Sequence, residues 1–126
     1  MFGDSFYLFF KLCQSAAGAL PAGFDVNMTE AHHVHKKDAP SGTAKKLAEL
    51  ISGARKKRPA DIPIESIREG EIVGDHKVIF NSATERIELF HSAKTRDTFA
   101  AGAIEAAKFL KDKKKGLYTM QDVLGI

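Results

Sequence analysis

The sequence predicts an α+β domain built on an open mixed β-sheet of about four strands, with helices packed on one face. Apolar residues at helical spacing open the chain. Short runs of alternating apolar and polar residues follow, and a polar segment joins two of these runs as in a hairpin. Apolar side chains on both faces of a hairpin strand predict that the other face of the sheet is used for oligomerisation.

The chain begins with a predicted amphipathic helix, because its apolar residues recur at helical spacing. They are Phe6, Phe9, Phe10, Cys13, Ala17 and Leu20. Leu8 and Leu12 widen this face, so we expect the helix to be buried on more than one side. Pro21 and Gly23 end the helix.

A half-buried strand is predicted next, since apolar and polar residues alternate over positions 24–29. This strand delivers Glu30 and the histidines behind it to its C-terminal end. Pro40 and the N-cap residue Ser41 then predict the start of a second helix, which ends near Gly53. The inner face of this helix is predicted to comprise Ala44, Leu47, Ala48 and Ile51.

The second half of the chain predicts further strands and a final helix. After an exposed basic connection at 55–58, a strand is expected around 62–67, followed by a turn at Gly70. Hairpin strands are expected at 76–80 and 86–91. The last helix is predicted to turn inward Phe99, Ala103, Ala106, Ala107 and Leu110.

Length and composition indicate one soluble domain that spans residues 1–126. Apolar residues make up 44% and charged residues 28% of the chain. The net charge of +3 suits an acidic ligand or a lysine-rich surface. The lone cysteine, Cys13, excludes an internal disulfide and is expected to be a buried hydrophobe. Asp4 and Lys11 argue against a secretory signal, and no apolar run is long enough to span a membrane, so a cytoplasmic location is expected.

The segment from Glu30 to Ala44 has the strongest chemical character of the sequence. It reads Glu-Ala-His-His-Val-His-Lys-Lys-Asp-Ala-Pro-Ser-Gly-Thr-Ala. Imidazole gives and takes protons near neutral pH. A helix that starts at Ser-Gly-Thr offers free backbone N–H groups to a carboxylate or phosphate. The combination indicates proton chemistry on a small anion.

Metal binding is the alternative use of His32, His33 and His35. Consecutive residues of an extended chain point to opposite faces. No acidic or cysteine motif in the sequence supplies the remaining ligands of a recognisable site. No metal is therefore predicted.

The same segment resembles the signature of the dihydrodipicolinate reductase family, also called 4-hydroxy-tetrahydrodipicolinate reductase, of bacterial and plant diaminopimelate and lysine biosynthesis. Further matches lie at 70–76, 85–89, 98–103 and 116–126. The resemblance covers nearly the whole chain but corresponds to the second half of the family's proteins. It implies a cytoplasmic protein, or a plastid one if the source is a plant.

The resemblance also implies roles for individual residues. His32 is similar to the family's proton donor or acceptor, and Lys36 to its second proton-donating group. His33, Gly42 and Thr43 are similar to contacts of the substrate carboxylate.

Other positions receive weaker assignments. Ser41 is expected to be a helix cap first and a ligand contact second. Arg96 resembles an arginine near the active site, and a surface salt bridge explains it equally well. Phe2 is the single convincing match to the family's entry into this domain and is a weak cofactor contact. Where the family often has a basic residue, this chain has Val34.

The resemblance further implies a cofactor and an assembly. The family reduces dihydrodipicolinate with NADPH or NADH held by an N-terminal Rossmann domain, and no glycine-rich turn of that kind occurs in this sequence. The nicotinamide is thus expected to come from a partner or from a missing N-terminal segment. The resemblance also implies a homotetramer in which the sheets of the subunits pack together.

Two rival hypotheses remain open. The chain is alternatively an isolated module that binds dicarboxylates and oligomerises without turnover. More remotely, the basic runs at 55–58 and 111–115 form a nucleic-acid patch. Aromatic residues do not interleave with these basic residues, so neither a nucleic-acid partner nor a membrane is expected.

Overall fold

The computed structural model describes residues 4–111 and 113–125, apart from the side chains of residues 98, 99, 120 and 121. The helices are α1 (Asp4–Ala19), α2 (Gly42–Ala54), α3 (Asp97–Lys111) and α4 (Met120–Leu124), and a 3-10 turn spans Pro59–Asp61. The strands are β1 (Asp25–His32), β2 (Ile64–Arg68), β3 (Gly74–Asn81) and β4 (Arg86–Ala93). The predicted α+β architecture is confirmed, and the short helix α4 is an addition to it.

The four strands form one mixed sheet in the order β2-β1-β3-β4. Strand β1 runs parallel to β2 and antiparallel to β3, and β3 pairs with β4 as the predicted hairpin. Parallel neighbours end at the same edge of a sheet, so the C-terminal ends of β1 and β2 meet there. The start of β3 and the end of β4 reach the same edge, because Gly74 pairs with Ala93.

Helices α1 and α2 pack against each other over one face of the sheet. Their apolar faces enclose the core with alternate strand residues, which include Val26, Met28, Val78 and Phe80. Burial of these side chains is the main favourable contribution to the fold. The helices thereby hold the start of α2 beside the shared strand edge.

Two predicted helix faces are wrong in detail. Leu8 and Leu12 are 47% and 49% exposed, so α1 buries a single stripe rather than several sides. In α3, Ala107 and Leu110 are exposed as well. The side chain of Phe99 lies outside the described part of the chain. Periodicity shows which residues share a face, but the tertiary contacts decide how wide a strip is covered.

The basic connection after α2 is less exposed than predicted, because Arg55 turns inward. Its guanidinium donates to the carbonyls of Ala17, Leu20, Pro21 and Phe24, at 2.7 to 3.2 Å. These carbonyls lie at the C-terminal end of α1 and just beyond it, where the backbone lacks helical partners. Arg55 therefore joins the ends of the two helices.

Among the described residues, no helix has both the length and the apolar character required to cross a bilayer.

Candidate functional site

The predicted site residues converge on the shared edge of the sheet. His32 ends β1 opposite Arg68, which ends β2. The loop of residues 33–41 leaves β1 at this edge and passes over the end of β2, where the Val34 N–H donates to the Gly70 carbonyl. It then leads into α2. The strand order therefore brings the loop, β2 and the start of α2 to one place.

Glu30 is the buried centre of this arrangement. Its side chain is 0% exposed; Oε2 lies 2.8 Å from His32 Nδ1, and Oε1 accepts from Arg68 Nη1 at 2.7 Å. Burial alone raises the pKa of Glu30, but hydrogen bonds from Arg68 and Ser66 and the nearby charges lower it below its usual value. Glu30 is therefore a carboxylate at neutral pH.

His32 is neutral in this environment. Burial lowers its pKa, the Glu30 carboxylate acts in the opposite direction, and the charges of Lys36 and Arg68 lower it further. Since Glu30 can only accept, we assign the imidazole proton to Nδ1, which leaves the lone pair on Nε2. Nε2 is thus the atom of His32 that can take up or return a proton.

Gly74 leaves the space that Nε2 occupies. A Cβ atom at this position would lie 3.2 Å from His32 Nε2. This separation is tight, so any side chain here would press on the ring. The glycine at the start of β3 therefore permits the observed position of His32.

Lys36 lies in the same loop and is half-buried. Its Nζ is 3.0 Å from Asp38 Oδ1, and this hydrogen bond lowers the pKa of Asp38. The Lys36 N–H donates to the His33 carbonyl. The loop is therefore a compact turn that holds the ammonium group near the end of β1, and the ion pair with Asp38 helps to order it.

The other two predicted histidines lie outside the pair formed by Glu30 and His32. His33 is half-buried, His35 is exposed, and their rings are 6.0 Å apart. Nδ1 of His33 is buried without a hydrogen-bond partner in the described structure. Because this nitrogen is buried, it does not itself offer a ligand contact, and the predicted role of His33 stays a prediction.

The start of α2 has the predicted cap. Ser41 Oγ accepts from the Ala44 N–H at 3.1 Å, and the Ser41 carbonyl accepts from the Lys45 N–H. Within the described structure, the N–H groups of Gly42 and Thr43 have no acceptor. These two amides lie at the positive end of the helix dipole, so they remain available to an anion.

Two weaker assignments receive no structural support. Arg96 follows β4 at the same sheet edge, but it is exposed and contacts none of the other predicted site residues in the described structure. Phe2 lies outside the described residues.

From the sequence, His76 was interpreted as a sheet residue and excluded from the site because it lies in a strand-like run. It is a β3 residue in register with Glu30, and its ring lies 5.2 Å from that of His32. Its Nε2 is 3.1 Å from Ser41 Oγ. Burial lowers the pKa of His76 to about 3, so it is neutral and links the β3 strand to the cap of α2. The pairing register was the missing information, and spacing along the chain does not contain it.

One group of side chains has atoms that could ligate a metal. Within the described residues these are Glu30, His32 and His76, whose ligand atoms lie within 4.8 Å of one another. Of the histidines considered from sequence, only His32 belongs to it. Both oxygens of Glu30 already hold donors, and Arg68 adds a positive charge beside them. The arrangement therefore favours a hydrogen-bonded carboxylate and imidazole over a cation site.

Two clefts of the described surface lie at the opposite end of the sheet. One is bordered by Asp25 and Asn81, which pair where β1 begins and β3 ends. Another lies beside Arg55 at the ends of α1 and α2. Neither contains a residue of the predicted site.

Comparison with known proteins connects this geometry to a family. The family described as dihydrodipicolinate reductase, C-terminus, matches residues 5–124. A 4-hydroxy-tetrahydrodipicolinate reductase of Nitrosomonas eutropha is 48% identical, over 94% of this chain and 51% of the relative. The enzyme of that name from Aquifex aeolicus is also 48% identical, over 94% of this chain and 50% of its own length.

A solved structure shares the fold. It is a dipicolinate-bound dihydrodipicolinate reductase from Paenisporosarcina sp. TG-14, with a TM-score of 0.79 and 27% identity. The match covers 93% of this chain and 50% of that protein. This chain thus spans about half the length of the relatives it matches, and it belongs to the family of dihydrodipicolinate reductase C-terminal domains.

Proposed function

We propose that this chain is the substrate-binding domain of a 4-hydroxy-tetrahydrodipicolinate reductase and carries its proton-transfer residues. The reaction is the reduction of dihydrodipicolinate, formed from the 4-hydroxy compound by loss of water, to tetrahydrodipicolinate. One observation carries the proposal: His32, Lys36 and the unpaired amides that begin α2 lie at one edge of the sheet. The names of the relatives support the same activity.

The residues divide the work by charge. The N–H groups of Gly42 and Thr43 bind one substrate carboxylate, assisted by the Thr43 hydroxyl and His33. Lys36 supplies a positive charge beside the substrate ring and a proton for the reduced product. His32 exchanges a proton through Nε2. Ser41 is the cap that sets the direction of the amides rather than a direct contact.

The hydride requires a cofactor that the proposal places on another domain. Bound NADPH or NADH would supply a hydride to the unsaturated ring. The described residues offer anion-binding amides at the start of α2, but no glycine-rich turn between a strand and a helix for a pyrophosphate. We therefore assign this chain the substrate half of the cleft. A cytoplasmic or plastid setting remains part of the proposal.

A dicarboxylate is expected to bind to the chain without the cofactor. In calorimetry with 2,6-pyridinedicarboxylate, Thr43→Val and Lys36→Ala should each weaken binding by about 10-fold, the scale of one lost charge-assisted hydrogen bond. Lys46→Ala, which removes an exposed lysine of α2, is the matched control. Binding that both site variants leave unchanged would place the anion elsewhere and contradict the proposed site.

The uncovered face of the sheet is expected to form a homotetramer. Phe90 is 57% exposed on this face, where it contacts Lys77. Ile79 lies on the same side of the sheet but is already buried within the chain, so Phe90 is the exposed apolar residue that carries this expectation. Light scattering at micromolar concentration should give the tetramer mass, and Phe90→Asp should shift it toward smaller species. Ile104→Asp, on the exposed side of α3, should leave the mass unchanged. A monomer in the unmodified protein would show that this face tolerates water.

Both rival functions are distinguishable from the reductase. An inactive dicarboxylate-binding module would bind the ligand but stay inactive when a dinucleotide domain is joined to it. A nucleic-acid surface is disfavoured, because Arg55 is occupied by backbone carbonyls and Arg58 pairs with Asp61 at 3.0 Å. Two of the basic residues at 55–58 are thus already engaged within the chain.

A further inference from the structure

Arg68 touches both halves of the proposed proton-transfer machinery. Its Nη1 donates to Glu30 Oε1, and Glu30 in turn contacts His32. Its Nε donates to the Lys36 carbonyl at 3.2 Å, and its Nη2 donates to the Asp38 carbonyl. One guanidinium therefore holds the partner of His32 and the backbone of the loop that carries Lys36.

The topology explains why an arginine of β2 reaches this loop. His32 and Arg68 are in register at the ends of two parallel strands, so the chain that leaves β1 passes directly over the end of β2. Backbone contacts continue past the strands, since Glu69 N–H donates to the His32 carbonyl at 3.0 Å. A lysine could not replace this contact set, because its single nitrogen lacks the planar fork of donors.

We infer that Glu30 and Arg68 are positioning residues of this reductase. Arg68 orients the Glu30 carboxylate and the Lys36 loop together, and Glu30 holds His32 as the Nδ1–H tautomer so that Nε2 exchanges the proton. Only the proton exchange at His32 Nε2 rests on the proposed function. The tautomer and the loop contacts can be measured without turnover.

The surroundings of His32 make Glu30 the deciding group. Its ring faces Glu30 on β1, Arg68 on β2, His76 on β3 and Lys36 in the loop. Arg68 and Lys36 can only donate hydrogen bonds. His76 Nε2 contacts Ser41 Oγ, and His76 Nδ1 has no hydrogen-bond partner in the described structure, so neither nitrogen of His76 pairs with His32. Glu30 Oε2, by contrast, lies 2.8 Å from His32 Nδ1. The carboxylate is thus the acceptor that selects the tautomer.

Glu30→Gln tests this selection with little change in shape. Arg68 only donates, so the glutamine must turn its oxygen toward Arg68 and its NH₂ group toward His32. Nδ1 must then accept, and the neutral ring should change to the Nε2–H tautomer. Nitrogen-15 NMR of the histidine side chains reports the tautomer directly. Loss of the neighbouring negative charge should also lower the pKa of His32 further.

Glu49→Gln is the matched control, because Glu49 is exposed on α2. It should leave the His32 signals as in the unmodified protein. The inference is overturned if the unmodified protein carries the proton on Nε2, or if Glu30→Gln keeps it on Nδ1.

Arg68→Lys tests the loop contact separately. The Val34 amide donates to the Gly70 carbonyl beyond β2, and the Lys36 amide donates to the His33 carbonyl within the loop. Hydrogen exchange of both amides should accelerate by about 10-fold or more when the fork is lost. The Met28 amide, bonded to the Pro63 carbonyl in the sheet, reports whether the domain itself has loosened. Arg58→Lys is the matched arginine control. Unchanged exchange at both loop amides would refute the role of Arg68.

Turnover then separates this inference from the proposed function. The chain is fused to the N-terminal half of the Nitrosomonas eutropha relative. The effect of Glu30→Gln on kcat is then compared with its effect on KM. Glu30→Gln should lower kcat by about 10²-fold, the scale of lost proton transfer, with a smaller change in KM. An active fusion whose kcat does not respond to Glu30→Gln would refute the positioning role alone. An inactive unmodified fusion would instead refute the proposed function.

Discussion

His32→Ala and Lys36→Ala are each expected to lower kcat by about 10²-fold or more in the fusion protein, because each removes a group to which we assign proton transfer. The NMR spectrum of each variant should remain that of a folded domain, since neither side chain belongs to the apolar core. Steady-state kinetics with the 4-hydroxy substrate and NADPH or NADH measure the effect. A change mainly in KM would indicate a binding role instead.

Lys37→Ala is the control for this pair. Lys37 follows Lys36 in the same loop but is exposed, and it has no ion pair in the described structure. Its removal should change kcat by less than about 2-fold, the scale of one screened surface charge. If both His32→Ala and Lys36→Ala keep a kcat close to that of the unmodified fusion protein, these two residues are excluded from the chemistry.

The chain by itself is expected to show no reductase turnover with NADPH or NADH. Hydride transfer requires the cofactor to be held in register with the substrate, and holding the reactants in place accounts for a large part of the rate. The sequence lacks the glycine-rich turn that binds the pyrophosphate. Loss of absorbance of the reduced nicotinamide is the measurement.

The fusion protein provides the positive control for this experiment. Activity that appears only after fusion would show that this chain contributes the substrate half of the site. Turnover by the unfused chain would contradict the prediction and would require a cofactor site among its own residues. Dicarboxylate binding without activity in the fusion would favour the inactive module.

The sequence by itself determined the elements and pointed to the segment that the proposal assigns to the chemistry. Helical and strand periods, the proline and serine before α2, and the polar turn of the hairpin are local signals, so they predicted the architecture well. The motif of residues 30–44 identified His32 and Lys36 through a family resemblance. These features are readable because they depend on neighbours in the chain or on an extended motif.

The tertiary structure alone decided what surrounds those residues. Glu30, His76 and Arg68 come from three different strands, and they meet because of the strand order and the pairing register. Arg55 looked like part of an exposed basic run, yet its guanidinium binds carbonyls at the end of α1. Hydrogen bonds and pKa shifts arise from groups that are close in space, and distance in space is set by topology rather than by spacing along the chain.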